Sequence, residues 1–296
     1  MNRPYMLMVT FAFCFPAICQ TSHTDVASNT NQLVVEEVAI SGTTTLDNEQ
    51  LDEINSSLTG RRMGDDENEV TVRIRDAFGE KGYALAKVTN VKISPLDPLA
   101  RPKRVRLEAD VAEGPRCKIG EISFSGNRVI GAEELFKALP IKQGDFYSVG
   151  KLRSGLESIR EQYSSKGFLE MWAVPSFRIM NGSQVVLLFD ITEGPQYRMG
   201  ALELVGKSGA ADELQQHWKL TAGDPFDASY LEKFLNENSS LLPTDFSEQN
   251  DAFMVRDCKH LTVTVRVELD PKRPWRPRPN DVDCDAGKDP SKPTED

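Results

Sequence analysis

Apolar residues in the middle of this chain follow two rhythms that alternate. Lys118 to Ser125 runs with a period of two, placing Ile122 and Phe124 on one side, which predicts a short half-buried strand. Gly126-Asn127 closes it with residues that tolerate positive φ. Glu133 to Leu139 carries Leu135, Phe136 and Leu139 at helical spacing, and Pro140 and Gly144 end that helix. Ser148 is placed to cap a second helix. Along it Val149, Leu152, Leu156, Ile159 and Tyr163 step by threes and fours and share one face, and Gly167 stands where a left-handed C′ residue belongs. Met171 to Ile179 predicts a second strand, with Trp172, Val174 and Phe177 as its packing side chains. Pro175 lies inside it and has no N–H to give a ladder, so this strand is expected at a sheet edge. Asn181-Gly182 signals a hairpin. Gln184 to Thr192, dense in Val185, Val186, Leu187, Leu188, Phe189 and Ile191, predicts the strand in the middle of a small sheet.

The same order of elements, strand-helix-helix-strand-strand, returns on both sides. Glu113-Gly114-Pro115 and Glu193-Gly194-Pro195 bracket the central unit, 80 residues apart. Gly42, Gly126 and Gly206 end the first strand of three successive units at spacings of 84 and 80 residues. In the first unit Val38 and Ile40 mirror Ile122 and Phe124. Asp47 starts a helix with the stripe Leu51, Ile54, Leu58, and Val70, Ile74, Ala77 and Phe78 form the second stripe. Lys81-Gly82-Tyr83 matches Lys166-Gly167-Phe168. Pro95, Pro98 and Pro102 stiffen the loop between its last two strands, and Val105, Leu107, Ala109 and Val111 alternate into the closing triplet. The third unit keeps Leu202, Leu204, the helix pair Leu214 and Trp218, and a second stripe of Leu231, Phe234 and Leu241. Its last strand alternates through Leu261, Val263, Val265, Val267 and Leu269. It departs from the pattern after the second helix: no Lys-Gly-aromatic follows, and Pro243 intervenes. A fixed period of this kind marks tandem modules.

The ends differ in character. Arg3, the apolar run Met6 to Ile18 and Ala17-Ile18-Cys19 read as a secretory signal over residues 1–19, too short for a membrane span of about 20 apolar residues. Residues 20–32 read as a flexible leader. Residues 271–296 are rich in Pro, Arg, Lys and Asp, with Trp275 and Val282 as their large apolar residues, and are expected to be disordered.

The net charge is −10, and removal of residues 1–19 takes away one Arg, giving −11. Such a balance, with no basic stripe, argues against nucleic acid. Lys272 to Arg278 is a short basic run able to touch phospholipid or lipopolysaccharide phosphates at a membrane surface. Of the 5 cysteines, Cys117, Cys258 and Cys284 lie beyond residue 19. An odd number is no disulfide framework. Cys258 and Cys284 could still pair in an oxidising compartment, which the sequence leaves open. His23, His217 and His260 join no catalytic or metal-binding constellation, and no small-molecule substrate or cofactor is indicated. The Glu113 and Glu193 carboxylates stand one module apart and read as parts of structural joints rather than as a catalytic pair.

The Phe-Ser-Gly-Asn turn after the first strand, the Gly144-Asp145-Phe146 before the second helix, Lys166-Gly167-Phe168 after it and the closing Glu-Gly-Pro together resemble a POTRA (polypeptide-transport-associated) domain, the periplasmic repeat of the BamA/TamA outer-membrane assembly proteins. The resemblance implies an α+β fold of tandem βααββ modules at 33–115, 116–195 and 196–270, each a three-stranded mixed sheet covered by two helices. In that family a transmembrane barrel follows the last module; here 26 residues follow Asp270, too few for one. The implied function is a non-enzymatic periplasmic scaffold in outer-membrane protein assembly, possessing no catalytic, cofactor or metal residues. Its partners would be unfolded or nascent outer-membrane proteins, or an outer-membrane barrel or assembly factor. An extended partner would add as a strand at a free sheet edge. The candidate edges are Ala84–Lys92 (Ala84, Lys87, Thr89, Val91), Met171–Ile179 (Trp172, Val174, Phe177) and Ala252–Arg256 (Phe253, Val255). Two alternatives stand beside this: an adaptor for a single folded envelope partner, and a barrel-less relic of such a gene.

Overall fold

The computed structural model describes residues 33–43, 45–64, 66–97, 99, 102–206 and 209–270. The expected signal, leader and tail, with Lys272–Arg278 and Cys284, lie outside them. The described residues form three βααββ modules in α+β architecture, and the chain divides into two compact units. One holds the first module with most of the second module's sheet and helices. The other holds the remainder of the second module, including the C-terminal half of its long helix, together with the third.

In the first module β1 (Leu33–Ser41) is followed by α1 (Asn48–Leu58), β2 (Arg62–Met63), α2 (Glu67–Glu80), β3 (Lys87–Pro95) and β4 (Lys103–Ala112). Asp47 caps α1 by accepting from the Gln50 N–H at 2.8 Å. Ile54 and Leu58 from α1 and Val70, Ile74 and Phe78 from α2 form the buried core with Val35, Val105, Leu107, Ala109 and Val111 of the sheet. β4 lies parallel to β1 and antiparallel to β3. The sheet order is β2-β1-β4-β3, four strands rather than the three expected. The segment between the helices folds back, so that Met63 and Arg62 pair with Leu33 and Val34, and the Gly60 N–H bonds the Val35 carbonyl at 2.7 Å. That covers the outer side of β1.

The second module runs β5 (Lys118–Ser125), α3 (Ala132–Ala138), α4 (Val149–Ser164), β6 (Trp172–Met180) and β7 (Gln184–Thr192), in sheet order β5-β7-β6. Ser148 Oγ accepts from the Lys151 N–H at 3.1 Å and caps α4. Of the expected α4 stripe, Val149, Leu152, Ile159 and Tyr163 are buried and Leu156 is half-buried. Asn181 and Gly182 both take positive φ, as a tight hairpin of the primed kind requires. The third module consists of β8 (Arg198–Val205), α5 (Ala211–His217), α6 (Ser229–Glu237), the one-turn α7 (Glu248–Asp251), β9 (Ala252–Asp257) and β10 (Thr262–Glu268), in order β8-β10-β9. Here α6 stops at Glu237. The Asn238 side chain caps its end by donating to the Phe234 carbonyl at 2.8 Å, and Ser239–Leu241 forms a 3-10 turn. Leu241 therefore reaches the core from that turn, while Leu235 joins Leu231 and Phe234 in the buried stripe.

Candidate functional site: sheet edges and module joints

Each of the first two modules ends its first strand on a glycine and locks the loop after it with its closing glutamate. In the first, Glu113 is 2% exposed and its Oε1 accepts from the Thr45 N–H at 2.6 Å and the Thr45 hydroxyl at 2.9 Å. In the second, Glu193 Oε1 accepts from the Arg128 N–H at 2.7 Å, the Val129 N–H at 2.8 Å and the Tyr163 hydroxyl at 2.8 Å. Burial alone would push this carboxyl up. The hydrogen bonds, first those from the Val129 and Arg128 N–H groups, outweigh burial and hold it below its ordinary value. Gly126 sits at φ +76, and a Cβ there would run into the Ile191 carbonyl oxygen, so the strand-to-loop corner needs glycine. In the third module the equivalent of Glu193 is Pro271, so that latch is absent from its sequence.

The Glu-Gly-Pro triplets lead into two joints of the same design. After Pro115, the Cys117 N–H donates to the Gly82 carbonyl at 2.8 Å, and Arg116 Nε donates to the Lys81 carbonyl at 2.9 Å. After Pro195, the Tyr197 N–H donates to the Gly167 carbonyl at 2.8 Å, and Gln196 Nε2 donates to the Lys166 carbonyl at 2.9 Å. The Lys-Gly-aromatic turn of one module is thus the acceptor for the first residues of the next. Around the first joint, Arg116 lies 3.7 Å over the Phe146 ring. Ser148 Oγ donates to Glu80 Oε2 at 2.7 Å, and Arg153 pairs with Asp76 at 3.3 Å. Burial raises the Asp76 carboxyl, against the pull of Arg153 and Arg75. It also raises the Cys117 thiol.

β3, β6 and β9 are the last strands of their sheets, and among the described residues no strand pairs with their outer sides. The opposite edges are narrower: β2 covers β1, and single bridges, Lys118 to Phe146 and Arg198 to Pro225, cap β5 and β8. Ala84 is not in a strand; it belongs to the turn that follows Gly82, and β3 begins at Lys87. Lys87 and Thr89 are exposed and Val91 is half-buried. β3 carries a bulge between Thr89 and Lys92, with Asn90 at φ +51. Asn90 Nδ2 donates to Asp110 Oδ2 at 2.7 Å, and Ser41 Oγ donates to the other oxygen. These two bonds, Asn90 first, lower the Asp110 carboxyl. Beside the bulge lies a shallow polar groove of about 330 Å³, lined by Ile40, Ser41, Asn90, Lys92, Glu108 and Asp110. In β6, Trp172 and Val174 are half-buried, but Phe177 is 7% exposed and its ring lies 5.8 Å from that of Tyr147, so it is a core residue and not part of a docking face. Pro175 interrupts the same strand. β9 contains neither proline nor bulge, and Phe253 and Val255 are half-buried on it. No group of three or more His, Cys, Asp or Glu side chains is placed to hold a metal among the described residues.

Residues 117–194 match the family model described as POTRA, surface antigen variable number repeat. That match covers the central module. The fold is similar to that of a solved structure: the crystal structure of Haemophilus influenzae BamA POTRA3-5 superposes with a TM-score of 0.57 at 16% identity, covering 81% of this chain and 96% of that one. Outer membrane protein assembly factor BamA of Neisseria meningitidis serogroup B is 22% identical over 184 residues, 57% of this chain and 23% of that protein. A Treponema pallidum protein is 23% identical over 179 residues, 55% of this chain and 21% of its own length. The chain therefore spans less than a quarter of the curated relatives it matches. The sequence led us to expect module boundaries at the Glu-Gly-Pro triplets; it did not reveal β2, the Asn90 bulge or the carbonyl joints. The residue after each proline, Arg116 and Gln196, held the signal for the joints, because it is a side-chain donor each time.

Proposed function

We propose that the chain is a non-enzymatic periplasmic POTRA scaffold acting in outer-membrane protein assembly, and that it binds extended segments of outer-membrane clients, or of an assembly partner, by strand addition. The observation that carries this reading is the edge of the first sheet. β3 is nine residues long, lies at the end of a four-stranded sheet and has a polar groove beside it. Main-chain bonds to an edge give affinity with limited sequence preference, which suits a handler of many β-rich clients. The groove receives a side chain of the added strand, and Lys92 and Asp110 at its rim favour polar ones. Pro175 makes β6 a poorer acceptor, because a proline removes a donor from the ladder. The disulfide at Cys258 fits an oxidising compartment such as the periplasm. The relatedness to BamA of N. meningitidis supports the assembly role.

The test is titration of unfolded β-barrel protein and its single-strand peptides onto the folded chain, read by fluorescence and by hydrogen exchange of β3. Slower exchange of the β3 amides on peptide addition is expected. Absence of binding at about 0.5 mM peptide, an affinity weaker than roughly 4–5 kcal/mol, rejects client binding. Recovery of one fixed envelope protein instead of many barrel clients in crosslinked pull-downs would favour the adaptor alternative.

A further inference from the structure

We propose that the groove beside the β3 bulge selects a basic residue, Lys or Arg, at one position of the strand that adds to this edge, with Asp110 as the residue that reads the charge. This specificity rests on the strand addition proposed above. Val105, Leu107, Ala109 and Val111 of β4 fill the core of the first module, so Arg104, Arg106, Glu108 and Asp110 point to the opposite, outer face of the sheet. That face is laced with ion pairs. Arg104 reaches Glu36 at 3.5 Å, Arg106 reaches Glu37 and Glu108 at 3.1 Å each, and Lys92 reaches Glu108 at 3.5 Å. Asp110 differs: among the described residues no cation pairs with it. It accepts from Ser41 Oγ and from Asn90 Nδ2, both neutral groups. An ionised carboxylate offers about four acceptor sites, so about two stay open. The same two bonds hold the carboxyl in its charged form. In the second module Ser125 Oγ donates to Asp190 at 2.8 Å in the matching register. The Ser-Asp pair alone therefore marks the end of a ladder and not a site; in the first sheet the Asn90 bond and the groove stand beside it.

The bulge opens the way to Asp110 from the edge. β3 spends two residues, Asn90 and Val91, between the pairs Thr89–Asp110 and Lys92–Glu108, where β4 spends one, Ala109. Val91 packs against the core. Asn90, at φ +51, turns its side chain to Asp110. The outer face between Thr89 and Lys92 is left as the groove, lined by Ser41, Asn90, Lys92, Glu108 and Asp110.

Length and charge choose the occupant. A strand added to β3 lies two strand spacings from β4, about 9–10 Å. Ser, Thr and Asn are too short to cross that distance, whereas the stem of a Lys or Arg can lie over β3 and bring its head to Asp110. The groove carries two carboxylates against one ammonium, Lys92, which Glu108 already holds. A Glu or Asp on the added strand is therefore repelled, and a neutral side chain leaves Asp110 as it was. The bulge also pins the register: the residue of the added strand that stands beside Thr89–Lys92 on the outer face is the one that meets the groove.

The probe is a single-strand peptide of a β-barrel protein that slows exchange of the β3 amides, titrated onto the full chain. Arg, Lys, Gln or citrulline, the neutral counterpart of Arg, is placed at each of its positions in turn. At one position Arg should bind about five- to tenfold more tightly than citrulline, and Lys should share the preference. Salt at about 1 M, which shortens the screening length to about 3 Å, should cut that ratio below about twofold. Asp110→Asn should abolish the preference for Arg and leave the citrulline peptide within about twofold of its parent affinity, with circular dichroism reporting that the variant is folded. Lys92→Gln leaves Glu108 to Arg106 and removes the cation at the rim, so it should widen the preference, independently of how D110N folds. Citrulline bound as tightly as Arg at every position, a preference that survives D110N, or one that narrows in K92Q overturns this specificity and leaves strand addition standing. If no strand peptide binds or slows the β3 amides, strand addition itself falls and the specificity with it.

Discussion

The carboxylate of Glu193 offers the sharpest test of how the central module closes. Three donors converge on Oε1: the Arg128 and Val129 N–H groups and the Tyr163 hydroxyl. Arg128 and Val129 are exposed, so after Glu193→Ala water can take up their N–H groups and each loses about 1 kcal/mol. Tyr163 is 0% exposed, so its hydroxyl loses a buried charged acceptor at a cost of about 1–3 kcal/mol. The expected loss for E193A is therefore about 3–5 kcal/mol. Glu193→Gln keeps an acceptor oxygen in place but gives up the charge, and bonds to a charged acceptor are about twice as strong as neutral ones; a loss of about 1–2 kcal/mol is expected. Urea unfolding of the full chain, followed by far-ultraviolet circular dichroism and by hydrogen exchange of the β5–β7 ladder, measures both. pH adds a second axis. The folded-state carboxyl titrates below its ordinary value of 4.5. Its stabilisation is complete above that ordinary value and is lost as pH falls through the lower folded one. The gap between parent and E193Q should be constant from near-neutral pH down to about 5.5 and should close in stronger acid. Equal losses of under about 1 kcal/mol for E193A and E193Q, with a gap that ignores pH, would refute the latch.

Gly126→Ala and Gly182→Ala share the strain of positive φ, about 1 kcal/mol, but only Gly126 has a carbonyl oxygen in the way. G126A should lose at least about 2 kcal/mol more than G182A in the same urea assay, and equal losses would show that the corner can open. Asp76→Asn removes a carboxylate whose burial raises its pKa from 3.8. The charged form disfavours the fold as pH rises through the raised value, so D76N should be at least as stable as the parent at pH 7 and lose that advantage at pH 3. A deficit above about 1 kcal/mol at pH 7 would mean that the Arg153 pair outweighs burial. Arg116→Ala deletes one donor to the Lys81 carbonyl and the guanidinium over Phe146. A loss of about 1–2 kcal/mol, with faster exchange of the Cys117 amide, is expected; an unchanged Cys117 amide would show that the backbone bond alone holds the joint.

Much of this architecture was legible because the two periods rarely compete. The α4 stripe through Val149, Leu152, Ile159 and Tyr163 can be helix only, and Asn181-Gly182 can hardly be anything but a hairpin. Features set by distant partners were not legible. Nothing about Arg62-Met63 marks a strand; two residues pair because Gly60 turns the chain onto β1. Phe177 and Trp172 look alike in an alternating run, and only the placement of Tyr147 makes Phe177 core. The bulge at Asn90 depends on Asp110 and Ser41, one from the neighbouring strand and the other from the strand beyond it. Leu241 kept helical spacing from Leu231 and Phe234, but the Asn238 cap ended the helix first.

The paired carbonyl joints have an evolutionary corollary. The first two cassettes each carry a socket, the Lys-Gly-aromatic turn, and the last two each open on a plug, the donor residue and amide just past the preceding Glu-Gly-Pro. Duplication or deletion of a whole cassette leaves every plug facing a socket it already fits, so such an array can change length in single steps without new interfaces having to be invented. The third cassette has a plug and lacks that socket, so any neighbour added behind it would need a different way of docking.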